Sequence, residues 1–388
     1  MNHVLVTLDR EFPEQPILSR KLMQSNQGQE TAQQLLFPTA PSISLFPPTR
    51  YQGSKLRLLK WIWAQLEHLE FDSCLDLFSG TSAVSYMFKV HGKSVTANDK
   101  YKFNSAIARA LVANDDVRLP PSKLETLFES CPERPYDDFV SRTFDGMFFL
   151  PSENREIDLL IQNIHSMLEG AHRDLALFAL FQACLAKRPY NLFHRANLYM
   201  RTSDVERSFG NKVTWDRPLI EHMQQALRDA NGAVFGNGRS HKVLNKDFSE
   251  VSGSYDLVYM DPPYLNAKGT GVDYLDFYHF LEGLCEYDIW EQNLATRYKH
   301  KPYHRDTLNP WNDSRRILSA FDNAIGQFPS SIVAISYRSQ GIPSIDELVS
   351  LLDRHGRRSL VQASTDHRYV LSTAKNREVL LLSGPAAH

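Results

Sequence analysis

The sequence predicts an α/β fold, a Rossmann-like doubly wound sheet with an inserted, mainly helical segment. Three observations predict it. A short apolar run, Cys74 to Phe78, breaks at Gly80 and leads into a helical pattern from Ala83 to Val90. A second run, Ser94 to Ala97, ends in Asn98-Asp99 and precedes a helical pattern over Asn104 to Ala113. After a long helical interval a third run, Asp256 to Met260, stops at Asp261-Pro262-Pro263-Tyr264. Strand, turn, helix and strand in this order build a parallel sheet flanked by helices.

Residues 1–47 are rich in Gln, Ser and Pro, as in Gln24 to Gln34 and Pro38 to Pro48, and read as a loosely attached extension. From Tyr51 the pattern becomes periodic. Leu56, Leu59, Ile62, Trp63 and Leu66 recur at helical spacing and give one amphipathic helix. Residues 48–119 form the first half of the sheet domain and residues 236–388 the second. Between them, 120–235 carry helical patterns at Ile157 to Leu168, Leu175 to Leu185 and Pro218 to Ala230. Further strands of one parallel sheet are expected at Lys242 to Leu244, Ile332 to Tyr337, Tyr369 to Ser372 and Val379 to Leu382. No internal repeat is visible.

At 388 residues the chain is long enough for one large domain and a smaller one. Its 42% hydrophobic and 23% charged residues are those of an ordinary globular protein. No apolar stretch approaches the ~20 residues of a membrane helix. Asp9, Glu11 and Glu14 interrupt any signal-peptide layout, so the cytoplasm is expected. Cys74, Cys131, Cys184 and Cys285 lie far apart and read as buried small hydrophobes, so neither a disulfide nor a metal site is expected. A net charge of −2 gives no global sign of a polyanionic partner, though a local basic surface would suffice to bind one.

The strongest chemical signal is Asp261 to Tyr264. By composition this tetrapeptide appears by chance on the order of once in a thousand chains of this length. It lies at the carboxyl end of a strand, where doubly wound sheets bind ligands. The residue types suit work on the exocyclic amino group of a base. That nitrogen is a poor nucleophile because its lone pair is delocalised into the ring. Hydrogen bonds from its two N–H groups to the Asp261 carboxylate and to a carbonyl at Pro262 would localise the pair. Consecutive prolines, Pro262 and Pro263, fix φ and hold that carbonyl rigidly. Tyr264 offers an aromatic face to an extruded base.

A second signal is Asp76-Leu77-Phe78-Ser79-Gly80. One glycine after the first strand lets the backbone turn tightly beside a ligand, but the three-glycine dinucleotide fingerprint is absent, which argues against NAD or FAD. Asp99, at the end of the second strand, sits where a carboxylate binds ribose hydroxyls or caps a helix. Tyr51, Gly53 and Lys55 precede the first amphipathic helix, and Asp247-Phe248 precedes the third strand; each reads equally well as a structural feature or as a ligand contact.

Together these motifs closely resemble the Dam-like class of adenine-specific DNA methyltransferases over about residues 48–383. Tyr51, Gly53 and Lys55 match its aromatic-x-Gly-x-Lys motif, Phe78 and Gly80 its Phe-x-Gly motif, Asp99 its acidic strand end. Asp247 and Phe248 match its Asp-aromatic pair, and Asp261 to Tyr264 its catalytic motif. The resemblance implies S-adenosylmethionine as cofactor, touched by Tyr51, Lys55, Phe78, Asp99, Asp247 and Phe248, with Asp76 and Gly80 shaping the turn. It also implies that Asp261, Pro262, Pro263 and Tyr264 hold a flipped adenine. The activated sulfonium makes a metal or covalent intermediate unnecessary. The stretch Tyr264 to Arg316 is longer and richer in aromatics and charge than the class leads one to expect.

Double-stranded DNA is the expected partner, with a restriction endonuclease or defence-system protein as a second candidate. Between Lys187 and Arg217 seven basic residues face three acidic ones, with aromatics interleaved. Arg188, Arg195, Arg201, Arg207 and Lys212 are its candidate DNA contacts. A second basic stretch runs from Arg297 to Arg305 and reads as a solvated basic face or as a second place for DNA contact. Cytosine-N4 methylation would use the same catalytic motif, and a catalytically silent DNA-binding module would keep the same fold.

Overall fold

The computed structural model describes residues 41–203, 212–304, 309–367 and 376–386. Its sheet has seven strands: β1 (Ser73–Asp76), β2 (Ser94–Asn98), β3 (Lys242–Leu244), β4 (Leu257–Met260), β6 (Ile332–Arg338), β8 (Arg357–His367) and β9 (Asn376–Ala386). A two-stranded ribbon pairs β5 (Leu265–Asn266) with β7 (Gly341–Ile342). The spatial order is β3-β2-β1-β4-β6-β9-β8. β3, β2, β1, β4 and β6 run parallel. The expected all-parallel sheet is corrected at one edge, where β9 runs antiparallel to both β6 and β8. The strand expected at Tyr369 to Ser372 falls outside the described residues, and the structure places β8 just before it.

Buried parallel strands read as near-continuous apolar runs because helices cover both faces. Side chains alternate between two cores, as the pleat requires. Cys74, Leu257 and Tyr259 enter one, and Leu75, Val258 and Met260 the other. The first core lies under α1 (Leu59–Leu66), α2 (Ala83–Val90) and α3 (Lys102–Leu111). Short helices follow at α4 (Pro121–Thr126) and α5 (Phe139–Thr143), then α6 (Pro151–Met167) and α7 (Gly170–Ala186). Next come α8 (Tyr199–Thr202), α9 (Lys212–Asp216), α10 (Leu219–Ala233) and α11 (Tyr274–Cys285). The second core lies under α12 (Ile317–Gly326) and α13 (Ile345–Arg354).

The segment 120–235 is helical, as its periodicity predicts. It has no core of its own: α7 is buried along most of its length, packs on α3 and α10, and shares the first core with the sheet. The extension expected over 1–47 is corrected at its end. Phe46 is buried, and its ring meets Tyr86 at 5.2 Å. Residues 1–40 lie outside the described residues. All four cysteines are unpaired; Cys74 and Cys184 are buried as expected, but Cys131 is exposed and Cys285 half-buried. Among the described residues, no helix is long and apolar enough to cross a membrane.

Candidate active site

Because β1, β2 and β4 are parallel neighbours, the residues that follow them emerge along one edge. Asp76 pairs in register with Ala97 and with Tyr259, so the Gly80 turn, Asp99 and Asp261 converge there. They open onto one cleft with about 940 Å³ of empty space, solvent at its mouth included. All twelve residues expected at the cofactor and the base line it: Tyr51, Lys55, Asp76, Phe78, Gly80, Asp99, Asp247, Phe248, Asp261, Pro262, Pro263 and Tyr264.

The turn after β1 is held from β2. The Gly80 N–H donates to Asp99 Oδ2 at 2.9 Å, and the Tyr101 N–H to Asp99 Oδ1 at 2.9 Å. Gly80 has φ +50°, a conformation that costs an L-residue energy, so glycine is needed there. Asp99 therefore braces the turn from inside the cleft, whether or not it also binds a ribose. Asp76 accepts from Ser85 Oγ at 2.7 Å through Oδ2, while Oδ1 is buried without a partner. Burial, with the Asp261 and Asp99 carboxylates adding to it, pushes the Asp76 carboxyl up to about 7, against the Ser85 hydrogen bond.

Lys55 begins a 3₁₀ turn, Lys55–Leu58, that leads into α1. It is 5% exposed, with Nζ 2.9 Å from Asp261 Oδ1 and 3.0 Å from Glu378 Oε1. Glu378 comes from β9, is fully buried, and also accepts from Ser336 Oγ at 2.7 Å. Burial raises the Asp261 pKa; Lys55 opposes the rise and Glu378 adds to it. Lys55, expected at the cofactor, thus has its charge directed at the Asp261 carboxylate.

Aromatics form the walls. Tyr51 stacks on Tyr278 at 4.6 Å and on Tyr274 at 5.5 Å, both from α11. Gly53 has φ +86°, and a Cβ there would lie 2.4 Å from the Tyr274 hydroxyl. The chain can pass this close only without a side chain. Phe78, Phe248 and Trp311 meet at 5.0–5.9 Å on the opposite side. Asp247 caps the 3₁₀ turn of Phe248–Glu250 and pairs with Lys100 at 3.0 Å. Tyr264 meets Tyr337 edge-on at 5.7 Å, with the Lys55 and Arg338 cations each 5.7 Å from its ring.

Glu378, Tyr274, Asn309 and Trp311 were not legible as site residues. Glu378 reads as the first residue of an apolar strand, and a lone charge at a strand end is usually solvated. The other three lie in the long stretch after Tyr264, whose excess of aromatics was the available signal.

The basic segment needs two corrections. Arg188 is 1% exposed and donates to carbonyls of Leu192, Phe148 and Arg195, so it faces inward. Burial lowers its pKa to about 9. Arg201 is 6% exposed and forks onto Glu153 at 2.7 and 2.8 Å, beside Lys187 on the same carboxylate. Neither can reach a phosphate. Arg195 and Lys212 are exposed, the latter 3.0 Å from Asp216, and Arg207 lies outside the described residues.

The family model of the D12 class N6 adenine-specific DNA methyltransferases matches residues 51–350. Type II methyltransferase M2.HphI of Haemophilus parahaemolyticus is 28% identical over 341 residues, spanning 86% of this chain and 95% of its own. Type II methyltransferase M.NlaIII of Neisseria lactamica is 23% identical, spanning 84% of this chain and 94% of its own. Type II methyltransferase M.CviAII of Paramecium bursaria Chlorella virus 1 is 23% identical, spanning 80% and 90%. A family of N6 adenine-specific DNA methyltransferases, with methyltransferases as relatives, resolves the choice against cytosine-N4 transfer and against a silent module. The chain belongs to the D12 class of N6 adenine-specific DNA methyltransferases, and it methylates the exocyclic amino nitrogen of adenine in DNA.

Proposed function

We propose that the cleft binds S-adenosylmethionine over β1 and β2 and receives an adenine, flipped out of a specific DNA sequence, over β4. The observation that carries this reading is the set of polar atoms left without partners inside the cleft. Asp76 Oδ1, Ser79 Oγ and Asn104 Oδ1 are buried and unpartnered, on residues that line it. Buried polar atoms are costly when unpaired, so three in one cleft suit a polar ligand. A cationic one is favoured by the carboxylates of Asp99 and Asp261.

When bound, S-adenosylmethionine supplies an electrophilic methyl group. The protein's part is to hold the base and polarise its amine. Asp261 accepts one N6–H and a backbone carbonyl at Pro262 the other, which draws the nitrogen toward tetrahedral geometry. Lys55 keeps Asp261 ionised and fixed in place. Tyr264 stacks on the base and excludes water. Held over the Gly80 turn and Asp99, the cofactor would supply the methyl group to the nitrogen that Asp261 and the Pro262 carbonyl polarise, and the proton lost from that nitrogen would pass to solvent. Positioning and preorganised charge do the work.

In this reading 120–235 form the target-recognition part, with exposed Arg195 and Lys212 toward DNA. A restriction endonuclease that cuts the same site is the partner it admits. The test is transfer of labelled methyl to plasmid DNA followed by nucleoside analysis. N6-methyladenine should form with the wild type and not with Asp261→Ala. Label in another base, or unimpaired transfer by the variant, would refute it.

A further inference from the structure

The stretch after Tyr264 contains a basic excursion with no role in the cleft. Residues 294–303 leave and return through an antiparallel bridge between Leu294 and Tyr303, with the Ala295 N–H donating to Pro302 O at 2.8 Å. The tip carries Arg297, Tyr298 and Lys299, all exposed, and the ten residues include no acid. The Arg297 guanidinium lies 4.7 Å from the Tyr298 ring centroid. Such stacking pre-orients the guanidinium fork. Among the described residues, neither Arg297 nor Lys299 pairs with a carboxylate, whereas exposed Lys212, Arg142 and Lys102 all do.

The base of the excursion is fixed. Lys301 Nζ donates to Thr143 O at 2.6 Å, and His300 Nε2 lies 2.8 Å from Asp276 Oδ1. Asp276 is in the first turn of α11, two residues from Tyr274 in the cleft wall. The same helix supports the segment that bears Arg195. The Phe193 N–H donates to Phe277 O at 2.9 Å, and the His194 ring lies 4.8 Å from Phe277. The first turn of α11, before its kink at Tyr278, thus supports the cleft wall, the Arg195 segment and this tip.

We propose that the tip formed by Arg297, Tyr298 and Lys299 is a second DNA-binding surface that grips backbone phosphates of the duplex beside the target adenine. It rests on the reading that the cleft takes that adenine. Phosphate contacts carry no sequence information but fix register and add salt-dependent affinity. The tip would therefore hold duplex outside the recognition sequence.

The test uses the full chain, an R297E/K299E variant and two duplexes sharing one methylated site, one with long flanks and one trimmed to the site. On the long duplex the variant should show about a tenfold or greater rise in KM for DNA. Its slope of log affinity against log salt should be shallower by about two units, one per lost contact. Cofactor affinity should be retained, and R297K/K299R should restore both DNA readouts. On the trimmed duplex wild type and variant should converge. A K60E/R354E variant, with the same charge change on α1 and α13 away from both the cleft and 120–235, should keep the wild-type slope. Equal slopes for R297E/K299E and wild type, or an equal loss in the control variant, would overturn the proposal. Methyl transfer by the wild type to neither duplex would instead overturn the cleft reading beneath it.

Discussion

The ammonium of Lys55 sits 2.9 Å from the Asp261 carboxylate, and the two are brought together from sequence positions 206 residues apart. Glu378 closes the group at 3.0 Å from the same ammonium. The buried Glu378 carboxylate and the partly exposed Asp261 carboxylate share one cation, so the charge of Lys55 decides whether Asp261 is available as a hydrogen-bond acceptor.

Lys55→Met removes that cation and leaves two like charges side by side. Losing one partner of a buried pair costs about 3–5 kcal/mol, so unfolding by denaturant should come earlier. The sign for activity follows from Asp261. Lys55 lowers its pKa, so the variant's Asp261 takes up a proton at higher pH. A protonated carboxyl accepts the amine N–H poorly. The acid limb of the kcat–pH profile should move to higher pH, and an unmoved limb would show that Lys55 acts elsewhere.

Asp76→Asn should change how stability depends on pH. The folded Asp76 has its pKa at about 7 against an ordinary 3.8. The folded state therefore keeps a proton that the unfolded state gives up. The stability contributed by this group is present below about pH 4 and lost as pH rises to about 7. At ~1.4 kcal/mol per unit, the loss is roughly 4 kcal/mol in the wild type and absent in the variant. Urea unfolding of both proteins across this range checks it; parallel curves would contradict the assignment.

Tyr264→Ala should cost more methyl transfer than Tyr264→Phe. Stacking uses the ring face and is worth about 1–3 kcal/mol per base, a loss of roughly five- to hundredfold in kcat/KM. Equal losses in the two variants would place the function in the hydroxyl.

Reversing charge at Arg201 and at Arg195 should give opposite phenotypes. Arg201→Glu buries a second carboxylate beside Glu153 and should lower the melting temperature sharply. Arg195→Glu lies on the surface and should melt as the wild type does. It should weaken DNA binding, with a salt slope shallower by about one unit. DNA binding unchanged by Arg195→Glu would remove this residue from the interface.

The sequence by itself determined β1, β2, β3, β4 and β6 and the helices α1, α2, α3, α6, α7 and α10, because apolar runs and helical periodicity are local patterns; β5 and the remaining helices before β6 came only from the structure. It also named twelve of the residues that line the cleft. Asp261 to Tyr264, Gly80, Asp99 and Asp247-Phe248 follow strands or start helices, and parallel strands bring their carboxyl ends together whatever fills the rest. Only the tertiary structure decided which charges are available. Arg188 and Arg201 read as exposed DNA contacts in sequence, since basic residues are seldom buried, and Lys55 reads as a cofactor contact. Burial against carbonyls or carboxylates over long sequence separations turned them inward. Glu378 joined the site for the same reason: the antiparallel placement of β9 beside β6 sets it next to Ser336 and Lys55. A pairing between residues hundreds of positions apart leaves no local pattern, so it could be read only from the fold.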